Sequence, residues 1–360
     1  MKILHIYPKN DELIRQHVQL IVDKLRDQAD IRMVDSYTDF KQHLQTQETD
    51  ILHCHGCWSN IIARAAYAAA RQGARIIITP HGQMEPWIVG QQTFHEKVSK
   101  KLLWQKRLLS KAYVIITLGK LEKDNFMKLG WNNRIEEIHN AVTTNTITPG
   151  EMSRQIFDVY QRVMDSNTIE QLDDLSNAAL ATILKAGITG DSRWCSSCEA
   201  ISRPGEIDWR RLLIYADHEN IRNYVDYGIS VLGLPTPDSI DHYTGAYFPN
   251  DYVQPKTLKE LVGEYEGNET DYLVKIIRQI HRQPLLLHLI EFTRELLRDT
   301  VNDDQLTEAL EEKRLLNYTR SLMQVLGEQT QIDEGYMPVE PLDNRQTQQI
   351  RKHLANHLKI

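Results

Sequence analysis

Short apolar and β-branched runs recur at six places in the first 150 residues: Lys2–Tyr7, Ile31–Asp35, Ile51–His55, Arg75–Thr79, Tyr113–Thr117 and Ile135–His139. Between most of them the apolar positions fall at helical spacing. Leu13, His17, Leu20, Ile21, Lys24 and Leu25 trace one such stripe, and Ile61, Ile62, Ala65, Ala66 and Ala69 trace another. Runs that are apolar throughout, such as Ile76–Ile78 and Val114–Ile116, belong in a sheet covered on both faces. Strand and helix in alternation predict an α/β domain, a Rossmann-like doubly wound parallel sheet with right-handed crossovers.

From Thr148 the pattern changes. Thr148-Pro149-Gly150-Glu151 reads as a helix start, with a hydroxyl N-cap, proline at the first helical position and glutamate placed to close a capping box. Ile156, Val159, Tyr160, Val163 and Met164 then mark one face. Further helices are predicted over Thr168–Ala186 with Gly187 as stop, Asp208–Leu232 with Gly233 as stop, Leu258–Tyr265, Asp271–Arg282, Leu285–Val301, Gln305–Leu326 and Asn344–His357. Proline-bearing segments at Pro235–Pro255 and Gly327–Leu342 read as loops. The expected organisation is a Rossmann-like domain over residues 1–147 and a mainly α-helical region over residues 148–360.

At 360 residues and 41% hydrophobic content the chain is long enough to bury the cores of two domains. The four cysteines do not suggest a disulfide scaffold, and no apolar run reaches the roughly 18 residues a membrane span needs. The first apolar segment is too short for a signal peptide, which points to a cytoplasmic protein. The net charge of −7 argues against a nucleic-acid partner. That charge is uneven: residues 1–150 carry 20 Lys+Arg against 15 Asp+Glu, and the rest 22 against 34. Two surfaces of opposite sign suggest different partners, a protein being the natural one for the acidic helical half.

Ligands of an open parallel sheet sit beyond the carboxyl ends of its strands. The segments found there are Pro8–Asp11, His53–Asn60, Pro80–Trp87 and Asn140–Val142, and two of them carry a His-Gly pair, His55-Gly56 and His81-Gly82. Glycine lets the backbone approach a ligand, and imidazole donates to a hydroxyl or accepts a proton. The helix start near Ser59-Asn60 offers backbone N–H groups to an anion.

Asp50-Ile51-Leu52-His53-Cys54-His55-Gly56-Cys57-Trp58 and Thr79-Pro80-His81-Gly82-Gln83-Met84-Glu85-Pro86-Trp87 resemble two segments of family-4 glycosyltransferases, the second closely. A basic helix with Lys97, Lys100, Lys101, Trp104, Lys106 and Arg107 follows as it does in that family, and Ile138-His139-Asn140-Ala141-Val142 stands where the family ends its N-terminal domain. The resemblance covers about residues 1–147. It implies the GT-B fold and retaining transfer of a sugar from a nucleotide-sugar donor to a glycan or lipid-linked acceptor, with no required metal and no cofactor. By the same resemblance His81 and Glu85 are the catalytic candidates, His81 facing the transferred sugar and Glu85 an acceptor hydroxyl. His55, Gly56, Trp58, Gly82 and Asn140 are the binding candidates, with Trp58 or Trp87 stacking on a pyranose.

The chain departs from the family at three points. Lys9-Asn10-Asp11-Glu12 lacks paired glycines, Asn140 is followed by alanine, and no glutamate in residues 151–360 has another eight positions on, where the family's donor site carries E-x7-E. These departures motivate a second reading, a non-catalytic glycan- or protein-binding descendant. The pairs Cys54/Cys57 and Cys195/Cys198 have zinc-ligand spacing, with free thiols as the ordinary reading. The helix Lys97–Lys111 alternates basic and apolar residues, which suits peripheral contact at the inner face of a membrane or an amphipathic crossover. Tyr243, Tyr247, Phe248 and Tyr252 form an aromatic loop, suited to a carbohydrate platform or to packing on the helices.

Overall fold

The computed structural model describes residues 1–85, 104–166, 172–193, 199–235, 247–249, 252–264, 267–298 and 302–358. They fall into two compact units, one of Met1–Ser166, Gly245–Asn250 and Ile360, the other of Asn167–Thr244 and Asp251–Lys359.

The first unit is an open parallel sheet. Its strands are β1 (Lys2–Ile6), β2 (Asp30–Val34), β3 (Ile51–His55), β4 (Arg75–Thr79), β5 (Val114–Thr117) and β6 (Ile135–Glu137), in the order β2-β1-β3-β4-β5-β6. Every adjacent pair is parallel. Helices α1 (Glu12–Leu25), α2 (Tyr37–Thr46), α3 (Asn60–Arg71), α4 (Lys106–Lys111), α5 (Lys120–Leu129) and α6 (Pro149–Asp165) cover it.

Alternation along the strands decides what each face meets. Leu4, Ile6, Leu52, Cys54, Ile76 and Ile78 bury against Phe40 of α2, the α3 alanines and Phe126 of α5. Ile3, Ile51, Ile77 and Val114 bury against Ile21 and Leu25 of α1 and Ile156, Val159, Tyr160 and Val163 of α6. The doubly wound sheet expected from the sequence is present. Three exposed residues depart from the expected stripes: Leu13 and Lys24 of α1 and Ile61 of α3 face solvent, while Ile14, Val18 and Ala63 are buried. The first compact unit runs to Ser166, past the change of pattern at Thr148, because α6 supplies one layer over the sheet. Thr148 caps α6 by accepting from Glu151 N–H, but the Glu151 carboxylate pairs with Arg154 instead of closing a capping box.

The second unit is helical, with no strand among its described residues. Its longer helices are α7 (Asp174–Thr189), α8 (Trp209–His218), α9 (Arg222–Leu232), α10 (Glu269–Arg282), α11 (Leu286–Leu296), α12 (Asp303–Glu312), α13 (Leu316–Thr330) and α14 (Arg345–Asn356). Leu273, Ile277, Phe292, Leu310, Leu322 and Ile350 are part of a single core built from the last five. Two expected long helices are each divided. The chain reverses at Asn220 and at Arg314, both left-handed, with Ile221 N–H donating to Ala216 O and Leu315 N–H to Leu310 O. These are Schellman closures without glycine. Gly187 is not a stop: α7 continues to Thr189 and closes on Gly190. Gly187 instead lies where α7 meets α9, and a Cβ there would stand 2.0 Å from Tyr224 O.

Candidate active site at the strand ends

The strand order reverses between β1 and β3, and a doubly wound sheet opens its ligand crevice at such a switch point. The side chains there are imidazoles. His5 on β1, with His53 and His55 on β3, points to the α1/α6 side, where His17 of α1 and Tyr160 of α6 meet them.

The contacts form a continuous chain. Thr79 Oγ1 lies 2.8 Å from His53 Nε2, and His53 Nδ1 lies 2.7 Å from the Tyr160 hydroxyl. That hydroxyl is 3.3 Å from His5 Nε2, His5 Nδ1 is 2.9 Å from His55 Nε2, and His55 Nδ1 is 2.9 Å from His81 Nε2. A neutral imidazole has one donor and one acceptor nitrogen, so every link is satisfied when all donors point the same way along the chain. Burial pushes the His5 pKa down to about 3 and those of His53, His55 and His81 well below the usual imidazole range, reinforced by neighbouring rings. The rings are therefore neutral at pH 7.

Beside the end of this chain opens a cleft of about 530 Å³, lined by His81, Gly82, Glu85, Lys120, Glu122 and Asn140 among others. Its walls are tied together through backbone. Glu122 accepts from Gly82 N–H at 2.6 Å and from Leu118 N–H at 3.0 Å, joining the loops after β4 and β5. Burial raises its pKa to about 7, with a further push from Glu85. Glu85 is buried, receives Asn125 Nδ2 at 2.8 Å, and is likewise raised by burial. The loops after β3 and β4 are joined by Gln83, whose Oε1 accepts from Cys57 N–H and Trp58 N–H. Gly56 is required at this joint. Its φ is +92° and a Cβ would lie 3.0 Å from Gln83 Nε2.

The candidate residues thus separate by position. His81, Gly82, Glu85 and Asn140 line the cleft. His55 is fully buried and reaches it only through His81, and Gly56 shapes the loop beneath. Trp58 packs against the core on the α2/α3 side of the sheet. Ser59 accepts from Ile61 N–H, occupying one of the helix-start donors that were expected to serve an anion. His5, His17, His53, Tyr160, Gln83 and Glu122 were not singled out from the sequence. For His5, His17 and Tyr160 the visible signal was polarity inside apolar patterns, as with His17 in the α1 stripe.

The remaining sequence candidates are placed as follows. Cys54 and Cys57 are buried free thiols, pushed up by burial. Tyr247, buried in the core, donates to Glu136, and Tyr252 donates to His218 O, so these two follow the packing alternative. Lys106 and Arg107 are exposed while Leu108 and Leu109 are buried. Trp87, Lys97, Lys100, Lys101, Cys195, Cys198 and Tyr243 lie outside the described residues. No helix among the described residues is long and apolar enough to cross a membrane.

A parallel sheet with a polar cleft beyond its strand ends, at a reversal of strand order, is the arrangement in which open α/β domains hold their ligands. Residues 7–146 match the model of Glycosyltransferase Family 4, so this part of the chain is similar to the N-terminal-type domain of that family. No curated protein matches the chain, and no solved structure does.

Proposed function

We propose that the protein transfers a sugar, with retention, from a nucleotide-sugar donor to a glycan or lipid-linked acceptor, and that the cleft beside His81 receives the saccharide. The observation that carries this reading is the meeting of His81, Gly82, Glu85 and Asn140 around one cleft inside the family-matched segment. His81 is neutral, so it serves as a hydrogen-bond partner for a sugar hydroxyl and not as a cation for the diphosphate. Its ring is held from behind by His55, which fixes its orientation. Glu85 is placed to engage an acceptor hydroxyl. Lys120, beside the uncapped start of α5, favours the negative charge of a leaving diphosphate.

A second reading is favoured by the helical second unit, which offers no second sheet among its described residues for a donor. It makes the chain a saccharide-binding descendant without turnover, its acidic half engaging a protein. Titration with UDP-, GDP- and dTDP-sugars, followed by transfer assays with glycan and lipid-linked acceptors, separates the two. Turnover that falls roughly 100-fold or more in His81→Ala supports transfer. Saccharide binding with no nucleotide-sugar binding supports the second reading, and binding of neither class removes both.

A further inference from the structure

One atom at the end of the imidazole chain is left over. His17 is buried, and its Nε2 has no hydrogen-bond partner. The tautomer follows from its neighbours. Asn140 Oδ1 accepts from Val142 N–H at 3.0 Å, which fixes it as the oxygen of the amide. His17 Nδ1, 3.0 Å from the same oxygen, must therefore donate, and Nε2 carries a bare lone pair. An unpaired buried acceptor is costly to leave unmet.

The unpaired nitrogen belongs to a trio. His17, His55 and His81 each bring a ring nitrogen within 4.8 Å of the other two. Their ring centroids stand 5.1 Å apart for His17–His81, 5.7 Å for His17–His55 and 5.1 Å for His55–His81. Three imidazoles on a tetrahedral zinc ion, at about 2.0–2.1 Å per bond, place their centroids about 5.2 Å apart. The nitrogens themselves would sit about 3.4 Å apart, against 2.9 Å now between His55 Nδ1 and His81 Nε2. The other trio, His5, His53 and His55, does not qualify in this way, since both nitrogens of His5 and of His53 are engaged in hydrogen bonds.

We infer that His17 Nε2, His55 Nδ1 and His81 Nε2 form a binding site for a divalent first-row transition ion, with zinc as the intended occupant and the fourth position open to the cleft. Imidazole is a preferred ligand class for such ions. For His17 and His55 the outer contacts supply what ligand histidines need, a partner on the second nitrogen. Asn140 Oδ1 holds His17. His55 Nε2–H donates to His5 Nδ1, His5 Nε2–H to the Tyr160 oxygen, the Tyr160 hydroxyl to His53 Nδ1, and His53 Nε2–H to Thr79 Oγ1. Binding replaces one hydrogen bond, His55–His81, by three metal–nitrogen bonds, and moves the His81 proton to its Nδ1. His81 and Asn140 line the cleft, so the ion would present its open position to a water or a substrate oxygen there.

The test uses the full chain, stripped with a chelator and titrated with Co²⁺ as a spectroscopic probe and with Zn²⁺ as competitor. The expected result is one ion per chain, a visible band of the intensity of four- or five-coordinate cobalt, and no sulfur-to-cobalt charge transfer in the near ultraviolet. His17→Gln and His81→Gln each lose the band, Asn140→Ala weakens binding about 10–100-fold, and Cys195→Ser/Cys198→Ser retains both band and stoichiometry. His81 sits on a partly exposed loop, so H81Q decides the matter if H17Q does not fold by circular dichroism. Absence of stoichiometric binding, a thiolate band lost in the cysteine variant, or full binding by folded H81Q would each overturn the site. The titration contains no sugar and reads no transfer, so its outcome is independent of the glycosyltransferase reading.

Discussion

Tyr160 and His53 meet across 107 residues of chain, with the tyrosine hydroxyl 2.7 Å from the imidazole Nδ1 and both side chains fully buried. The same hydroxyl reaches His5, so one atom of α6 joins two strands of the sheet. Tyr160→Phe keeps the ring and removes only that atom, leaving two buried imidazole nitrogens without a partner. The expected loss is about 1–3 kcal/mol in chemical denaturation. A variant as stable as the parent would show that the hydroxyl contributes nothing to holding α6 on the sheet.

Gly56 and Gln83 make a second joint, at the mouth of the cleft. Gly56→Ala puts a Cβ at φ +92° and against the Gln83 amide, whose Oε1 accepts from Cys57 N–H and Trp58 N–H. The expected cost is about 1–2 kcal/mol of backbone strain, with the two amides released from their shared acceptor. Hydrogen exchange at Cys57 and Trp58 should accelerate in the variant more than exchange at Ile51 or Leu52 in the strand below. Uniform acceleration along β3 would point to global destabilisation instead.

How far the sequence reveals this architecture depends on the range of the interaction. All six strands were readable as short apolar or β-branched runs, the central ones most openly because a strand buried on both faces is an unbroken apolar run, as at Ile76–Ile78 and Val114–Ile116. The breaks at Asn220 and Arg314 were not, since both closures have the form that Gly233 announces openly, but made with residues that carry no turn signal strong enough to interrupt a helical pattern. The cleft loops were legible through His81-Gly82. The ring chain behind them was not, since His5, His17 and His53 are separated by 12 and 36 positions of sequence, and only the sheet register sets His5 level with His53. Glu122 was hidden similarly. It lies in an ordinary charged helix, and nothing short of the fold shows that its carboxylate faces inward.

In the helical unit α7 and α9 meet backbone to backbone. A Cβ at Gly187 would stand 2.0 Å from Tyr224 O, and one at Gly228 would stand 2.0 Å from Ile183 O. Neither obstacle is a side chain that can swing away, so α7 and α9 would have to separate. Gly187→Ala and Gly228→Ala are each expected to cost about 3 kcal/mol or more, at or beyond the upper end of overpacking penalties. Gly205→Ala, where a Cβ meets nothing within 4 Å, serves as the control and should stay within about 0.5 kcal/mol of the parent. Thermal melts of the three variants check the order, and equal melting temperatures for all three would mean that the helices do not pack this closely.

The buried imidazoles fix the sign of the acid response. His5, His17, His53 and His55 all have folded pKa values below the unfolded value of 6.5, with burial as the leading cause. Above pH 6.5 both states are neutral and these groups contribute no pH dependence. Below it the unfolded chain takes up protons that the folded chain refuses, so stability falls as pH falls, down to about pH 3 in the case of His5. The slope is about 1.4 kcal/mol per pH unit for each ring. Glu122 acts in the opposite sense. Its folded value of about 7 lies above the unfolded 4.5, so acidification between those values favours the folded state by a similar amount for one group. His5, His53 and His55, held well below 6.5, outweigh one carboxylate, so chelator-treated protein should lose stability between pH 6.5 and 5 in chemical denaturation, and lose much less between pH 8 and 6.5. His5→Asn should flatten the acid limb by about one ring's share. A stability profile that is level from pH 8 to 5 would mean that the imidazoles are not held neutral in the folded protein, and the shared hydrogen bonds from Thr79 to His81 could not then all be made.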